Sequence, residues 1–231
     1  MFSTDLSPVQ VLFLQTPSKV KIDDMLGIIF RDLTLRRVWN VVKINSYPND
    51  RSRKTQKYFM FVKGEMFEGY EPKPFEEVFI KPFSEVNQVQ SKILTNFALK
   101  KYSTPSGFIN EKIYEPLRKE GYISSIPLLK TFGYYSLTKK TKQLVAEFND
   151  FLQNQEQKLE SLIDGDRAEF IKVLNETGVY IFYFEKKNAA LYKNIISMLK
   201  RIHNSKPAIA EEDYIRFTEA IYVDLSYFSE H

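Results

Sequence analysis

The sequence contains no cysteine and only 2 histidines among its 231 residues. Disulfides, a thiolate nucleophile and a cysteine-based zinc site are therefore excluded. His203 and His231 are not at ligand spacing, which disfavours a histidine-based metal centre and leaves His203 as the one internal candidate for a histidine base. Glycine is scarce, at 8 residues, and neither GxGxxG nor GxxxxGK[ST] occurs. Since phosphate-cradling loops need such glycines, the sequence predicts no cofactor, no metal and no enzyme activity.

Long hydrophobic runs are also missing. No segment approaches the ~20 apolar residues that a membrane-spanning helix needs, and the N-terminus lacks the basic region of a secretory signal. Hydrophobic residues nevertheless make up 43% of the chain and aromatic residues 15%, enough to fill buried cores. We therefore expect a cytoplasmic protein with no membrane contact, built from two or three small units.

Residues 1–68 are predicted to form the first unit. Ser7 and Pro8 mark the start of one helix, and Asp23 or Asp24 caps a second, largely apolar helix. The segment RRVWNVVKI and the segment KYFMFVKG then predict two antiparallel strands joined by a polar loop.

Residues 69–83 contain three prolines, which predicts a linker with at most a short helix. The second unit, residues 84–148, is predicted to begin with a helix capped by Ser84. The segment FINEKIYEPLRKEGYI is then predicted to form one or two short helices, because Pro116 should either break the helical pattern or start a new first turn. Strand-like YISSIPLL and YYSLT come next. The order helix, helix, strand, turn, strand thus occurs twice.

The phrase LRKEGYI…YYSLTKKTKQL resembles the winged-helix superfold, in which a basic Gly-Tyr-Ile helix exit precedes the hairpin and a leucine–threonine step follows it. Leu137 and Thr138 stand at that step. The resemblance implies two winged-helix-like units, and with the helical periodicity of the C-terminal region it predicts an α+β, predominantly helical fold. The loop of each hairpin would be a wing.

Residues 149–231 show helical periodicity, except that VYIFYF (179–184) fits a buried strand and a buried helix equally well. Apolar side chains line the last predicted helix and its continuation. These side chains are Tyr214, Phe217, Ile221, Leu225 and Phe228. They either fill an intramolecular core or form a contact between chains.

Basic residues concentrate at two places, although the formal net charge is only +4. The hairpin loop at 46–57 and the cluster at 138–142 supply the candidate nucleic-acid contacts: Arg51, Arg53, Lys54, Lys57, Lys139, Lys140 and Lys142. A solvated hairpin tip and an acidic protein partner are the alternatives for the loop. Neither helix that precedes a hairpin has the cationic surface of a recognition helix, and Arg31 is the only cation of the first.

Acidic pairs occur at 23–24, 76–77 and 211–213, each at the predicted start of a helix, where carboxylates stabilise the helix dipole. The sequence thus predicts a non-enzymatic binding or regulatory module that assembles with protein partners or with itself. A DNA-binding regulator is the alternative, and no small-molecule ligand is expected.

Overall fold

The computed structural model describes residues 2, 4–47, 53–102, 104–124, 136–204, 211–221 and 223. This part of the chain is α+β and predominantly helical, with two small antiparallel sheets, which confirms the predicted fold class. The helices are α1 (Pro8–Gln15), α2 (Ile22–Leu35), α3 (Glu77–Ile80), α4 (Ser91–Lys101), α5 (Pro105–Ile109), α6 (Glu115–Lys119), α7 (Lys139–Leu162), α8 (Arg167–Thr177), α9 (Phe184–Lys187), α10 (Ala189–Asn204) and α11 (Glu211–Ile221).

The first sheet has the strand order β1–β2–β3, formed by Trp39–Ser46, Gln56–Lys63 and Gln88–Gln90. Strands β1 and β2 make the predicted hairpin, with Trp39 opposite Lys63 at its base. The second sheet pairs β4 (Ile123–Ser124) with β5 (Ser136–Leu137). The prediction for the stretch between them, 125–135, lies outside the described residues.

Local sequence signals set most helix starts. The Gln10 side chain accepts a hydrogen bond from the Ser7 backbone N–H at 2.9 Å, which completes a capping box at α1. Thr138 caps α7 and Asp166 caps α8, each through its side-chain oxygen. The prediction for α2 was wrong in detail: its N-cap is Lys21, and Asp23 and Asp24 lie within the first turn.

The segment after the proline-rich stretch differs from the predicted helix. Residues Lys81–Ser84 form a 3₁₀ turn and Gln88–Gln90 form strand β3, so the helix begins at Ser91 rather than after Ser84. Val89 lies opposite Phe61 of β2. Pairing with β2 satisfies the backbone of this strand, and the long-range contact overrides the local helical spacing.

Pro116 lies in the first turn of α6, which is one of the two outcomes that the sequence predicted for it. Asn110–Tyr114 form a π-helical turn between α5 and α6, in which the Glu115 N–H donates to the Asn110 carbonyl. Proline has no N–H and its ring crowds the carbonyl four residues earlier. The wider turn accommodates both effects, and helical structure continues from α5 through the π turn into α6.

The ambiguous segment near residue 180 is helical. Gly178–Tyr183 form a 3₁₀ helix that leads directly into α9. Its side chains are largely buried and contact α2, α8 and α9.

One continuous core runs through the described chain, from Leu6 to Val223. Helix α2 lies at its centre and packs against α1, β1, α11 and the segment 178–183. Phe30 of α2 makes edge-to-face contacts with Trp39, Phe61 and Phe79 at 5.1–5.5 Å between ring centroids. Phe75, Phe79 and Phe83 of the proline-rich stretch are also buried in this core.

Candidate ligand site and the predicted binding residues

The hairpin loop has exposed cations. Arg53 and Lys54 are exposed just before β2, whereas Arg51 and the side chain of Lys57 lie outside the described residues. The exposed pair is suited to non-specific contact with an acidic partner or phosphate.

Helix α2 precedes this hairpin, in the position that a recognition helix would take, but it is enclosed by protein. Met25, Leu26, Phe30 and Leu33 are fully buried, and Arg31 is buried with them. Contacts with α1, α11 and the segment 178–183 occupy its faces. In this conformation α2 has no free face that can enter a DNA groove.

The corresponding helix of the second unit is partly exposed. Glu111, Lys119 and Glu120 are exposed on or just after it. Arg118 is held by Glu115 at 2.9 Å. Acidic and basic groups alternate there, so this surface has no excess of positive charge.

The second basic cluster lies on the first turn of α7. Lys139, Lys140 and Lys142 are exposed, and none of them forms an ion pair with a described residue. Lys140 lies over the Tyr122 ring at 5.2 Å. The Thr141 hydroxyl donates to the Tyr122 carbonyl at 2.6 Å and fastens this turn to the second hairpin.

The candidate interface at the C-terminus is partly intramolecular. Phe217 is 3% exposed and Ile221 is half-buried against the core. The side chain of Tyr214, together with Leu225 and Phe228, lies outside the described residues.

Of the three acidic groups, the side chains of residues 211–213 lie outside the described residues. No group of three or more histidine or carboxylate side chains suited to a metal occurs in the ranges that the structure describes. Glu76 has a role that the sequence did not indicate, because it is buried and accepts hydrogen bonds from Arg36 and Tyr70, each at 2.6 Å.

A cavity of about 650 Å³ opens between α1, α2, α7 and the segment 178–187. Its size lies within the range of roughly 300–1,000 Å³ that is typical of small-molecule sites. The apolar part of the lining comes from these four elements and from the turn between α1 and α2: Leu12, Val20, Ile28, Leu152 and Phe182.

Charged groups complete the lining: Lys19, Arg31, Lys186, Lys187, Asp23, Asp24 and Glu185. Lys186 binds Asp24 across the cavity edge. Burial, followed by the neighbouring Asp24 carboxylate, raises the pKa of Asp23. The Asp23 carboxyl therefore binds a proton more readily than a solvated aspartate does.

Arg31 is the most deeply buried of these charges. Its side chain is 8% exposed, and its Nη1 donates to Glu185 Oε2 at 2.9 Å. The guanidinium carbon lies 4.4 Å from the centroid of the Phe182 ring. The Nε atom is buried and has no hydrogen-bond partner among the described residues.

Sequence reasoning missed this site. The one available signal was Arg31 itself, a single cation in the apolar helix IDDMLGIIFRDLTL. Its partners Phe182 and Glu185 are 151 and 154 positions away. Phe182 also lies in the segment 179–184, whose secondary structure the sequence left open.

Comparison with known proteins finds no significant match to a family model, to a curated protein or to a solved structure. Among the described residues, no helix combines the length and the apolar character that crossing a bilayer requires.

Proposed function

We propose that the protein is a cytoplasmic, non-enzymatic binding module that assembles with another protein, and that its two helix–hairpin units are winged-helix-like. The observation that carries the binding proposal is the outer face of α4. Ile93 and Phe97 are 59% and 48% exposed, and Val86 just before β3 is 47% exposed. Ile93 and Phe97 are four residues apart on a helix, so they are neighbours on one face.

The charge of α4 indicates the kind of partner. Lys92, Lys100 and Lys101 are exposed around the apolar pair, and the helix SKILTNFALKK contains no acidic residue. A second copy of the same face would place lysines against lysines without compensating carboxylates. We therefore propose a different protein, with an apolar centre and an acidic rim.

Photo-crosslinking tests this proposal. Phe97 is replaced by p-benzoylphenylalanine in cells that express the protein natively, and the matched control carries the same group at exposed Gln153 on α7. We expect a discrete heterologous adduct from position 97, abolished by Ile93→Asp, and none from position 153. An adduct of twice the chain's own mass would indicate self-association, and no adduct from position 97 would contradict the proposal.

A nucleic-acid-binding role is the second candidate, favoured by the exposed lysines 139, 140 and 142 that lack a described carboxylate partner. Fluorescence anisotropy with random-sequence duplex DNA at two salt concentrations tests it. Phosphate contacts predict binding that weakens steeply with salt and is reduced by alanine at these three lysines. Alanine at Lys158, an exposed lysine further along α7, is the control, and absence of binding at low salt argues against this role.

A further inference from the structure

We propose that the cavity between α1, α2, α7 and the segment 178–187 binds a small-molecule monocarboxylate with an apolar body, and that Arg31 holds its carboxylate. When the ligand is absent, the Glu185 carboxylate forms an ion pair with the Arg31 guanidinium. This inference is independent of the protein-binding role, since it concerns another part of the molecule.

Arg31 has hydrogen-bonding capacity that the described chain does not use. A guanidinium offers five N–H donors, and the one hydrogen bond that Arg31 makes to a described side chain goes from Nη1 to Glu185. Buried donors without partners are unfavourable, and a charged one especially so. Phe182 covers the guanidinium at 4.4 Å and favours retention of the positive charge.

The rest of the lining defines the ligand class. The lining contains four cations and three carboxylates, and one of the cations, Lys187, is paired at 2.8 Å with Glu156, which lies outside the lining. The remaining charges balance, so a ligand with one negative charge fits when its carboxylate replaces that of Glu185 at Arg31, whereas a phosphate dianion would add a second charge and would also be repelled by Asp23 and Asp24. Leu12, Val20 and Leu152 provide the apolar wall against which a hydrocarbon or aromatic body can pack.

The Glu185 side chain can leave its ion pair with Arg31 when a ligand binds. Its side chain is 46% exposed although its partner is 8% exposed. A half-exposed carboxylate regains hydration when it leaves the ion pair, so a ligand carboxylate can replace it at Arg31 without leaving a buried anion unpaired.

The two members of this ion pair should therefore have opposite effects on ligand affinity. Titration calorimetry on the full chain uses 4-phenylbutyrate as the probe, acetate as a carboxylate without an apolar body, and 4-phenylbutyramide as the uncharged analogue. We expect 4-phenylbutyrate to bind more tightly than either. Arg31→Gln should weaken its binding about tenfold or more, the size expected for loss of one charge-assisted hydrogen bond.

Glu185→Gln should tighten binding of 4-phenylbutyrate several-fold, because it removes the competing carboxylate. Arg201→Gln, at a half-exposed arginine outside the cavity lining, should leave the affinity unchanged. If Arg31→Gln does not fold, Glu185→Gln decides the question. Absence of saturable binding, equal binding of the amide, or an affinity that Glu185→Gln leaves unchanged or lowers would overturn the proposal.

Discussion

Arg36 and Glu76 join two segments that are distant in sequence. Arg36 follows α2, and its Nη2 donates to Glu76 Oε1 at 2.6 Å. The second carboxylate oxygen of Glu76 accepts from the Tyr70 hydroxyl at 2.6 Å and from the Lys73 N–H at 2.8 Å. Burial, together with the hydrogen bond to Glu76, raises the pKa of Tyr70, which keeps this hydroxyl a donor. The buried carboxylate therefore fastens the proline-rich stretch to the end of α2.

Glu76→Gln should be strongly destabilising. The substitution leaves the Arg36 guanidinium without its closest counter-ion and replaces one acceptor oxygen by an amide NH₂ group. We expect a loss of about 2–4 kcal/mol in the free energy of unfolding, measured by urea denaturation. Glu77→Gln, at the exposed neighbouring position, is the control and should change stability by less than about 0.5 kcal/mol. Equal effects of the two variants would show that the buried cluster contributes little.

Asp32 forms a second ion pair with Arg36, beside that of Glu76. Its titration makes the stability of the fold depend on pH. Burial raises the pKa of Asp32, and Arg36 opposes this rise at 2.8 Å. The folded chain therefore binds this proton more tightly than the unfolded chain, whose aspartate has a pKa of about 3.9. The resulting stabilisation is present below the unfolded pKa and is lost as the pH rises through the folded pKa.

Asp32→Asn should remove this pH-dependent contribution. Relative to the unsubstituted protein, the variant should gain stability as the pH is raised from about 3.5 to 7, because only the unsubstituted chain must ionise a buried carboxyl. Urea denaturation at several pH values measures the difference. A stability difference that is constant with pH, or that moves the other way, would contradict the assigned direction.

Sequence reasoning succeeded where the determining residues are close together. Ser7 was recognisable as the start of α1, because a capping residue bonds with backbone groups no more than three residues away. Arg36 and Glu76 are 40 positions apart, and Arg31 and Glu185 are 154 apart. No local pattern encodes such pairs, which is why the buried cluster and the cavity were both missed.

At the scale of elements, the apolar spacing over residues 86–97 predicts a single helix, but the structure has a strand, β3, followed by α4. Val86, Val89, Ile93, Leu94 and Phe97 match one face of a helix, but the structure divides them. Val89 is buried in β3 opposite Phe61, and Leu94 is buried in α4. Ile93 and Phe97 lie on the outer face. Because Gln88–Gln90 pair with β2, the helix begins only at Ser91. Ile93 and Phe97 are then exposed on its outer face.

Adjacent residues of α4 should therefore respond very differently to alanine. Leu94→Ala removes a fully buried side chain and should lower the free energy of unfolding by about 2–5 kcal/mol. Ile93→Ala changes a side chain that is 59% exposed and should cost less than about 1 kcal/mol. Thermal or urea denaturation of both variants measures the contrast. A larger loss for Ile93 would mean that the buried and exposed faces are reversed.

At the scale of the whole molecule, the C-terminal helices complete the core around α2. Helix α11 packs on α2, α10 and β1, and Phe217 is its deeply buried aromatic side chain. The sequence predicted most of these helices individually, because each carries its own apolar periodicity. Which helices would cover α2 depends on contacts across nearly 200 residues, and periodicity contains no information on such pairing.

The continuous core makes cooperative unfolding the expected behaviour. Trp39 is the only tryptophan and lies in the aromatic cluster of the first hairpin, so its fluorescence reports on that part, whereas far-UV circular dichroism follows all the helices. The two urea transitions should coincide. Phe217→Ala should shift both together by about 3–5 kcal/mol, and Phe97→Ala, at a half-exposed position, should shift neither appreciably. If helical signal is lost before Trp39 fluorescence changes, the C-terminal helices fold separately and the shared core does not couple them to α2.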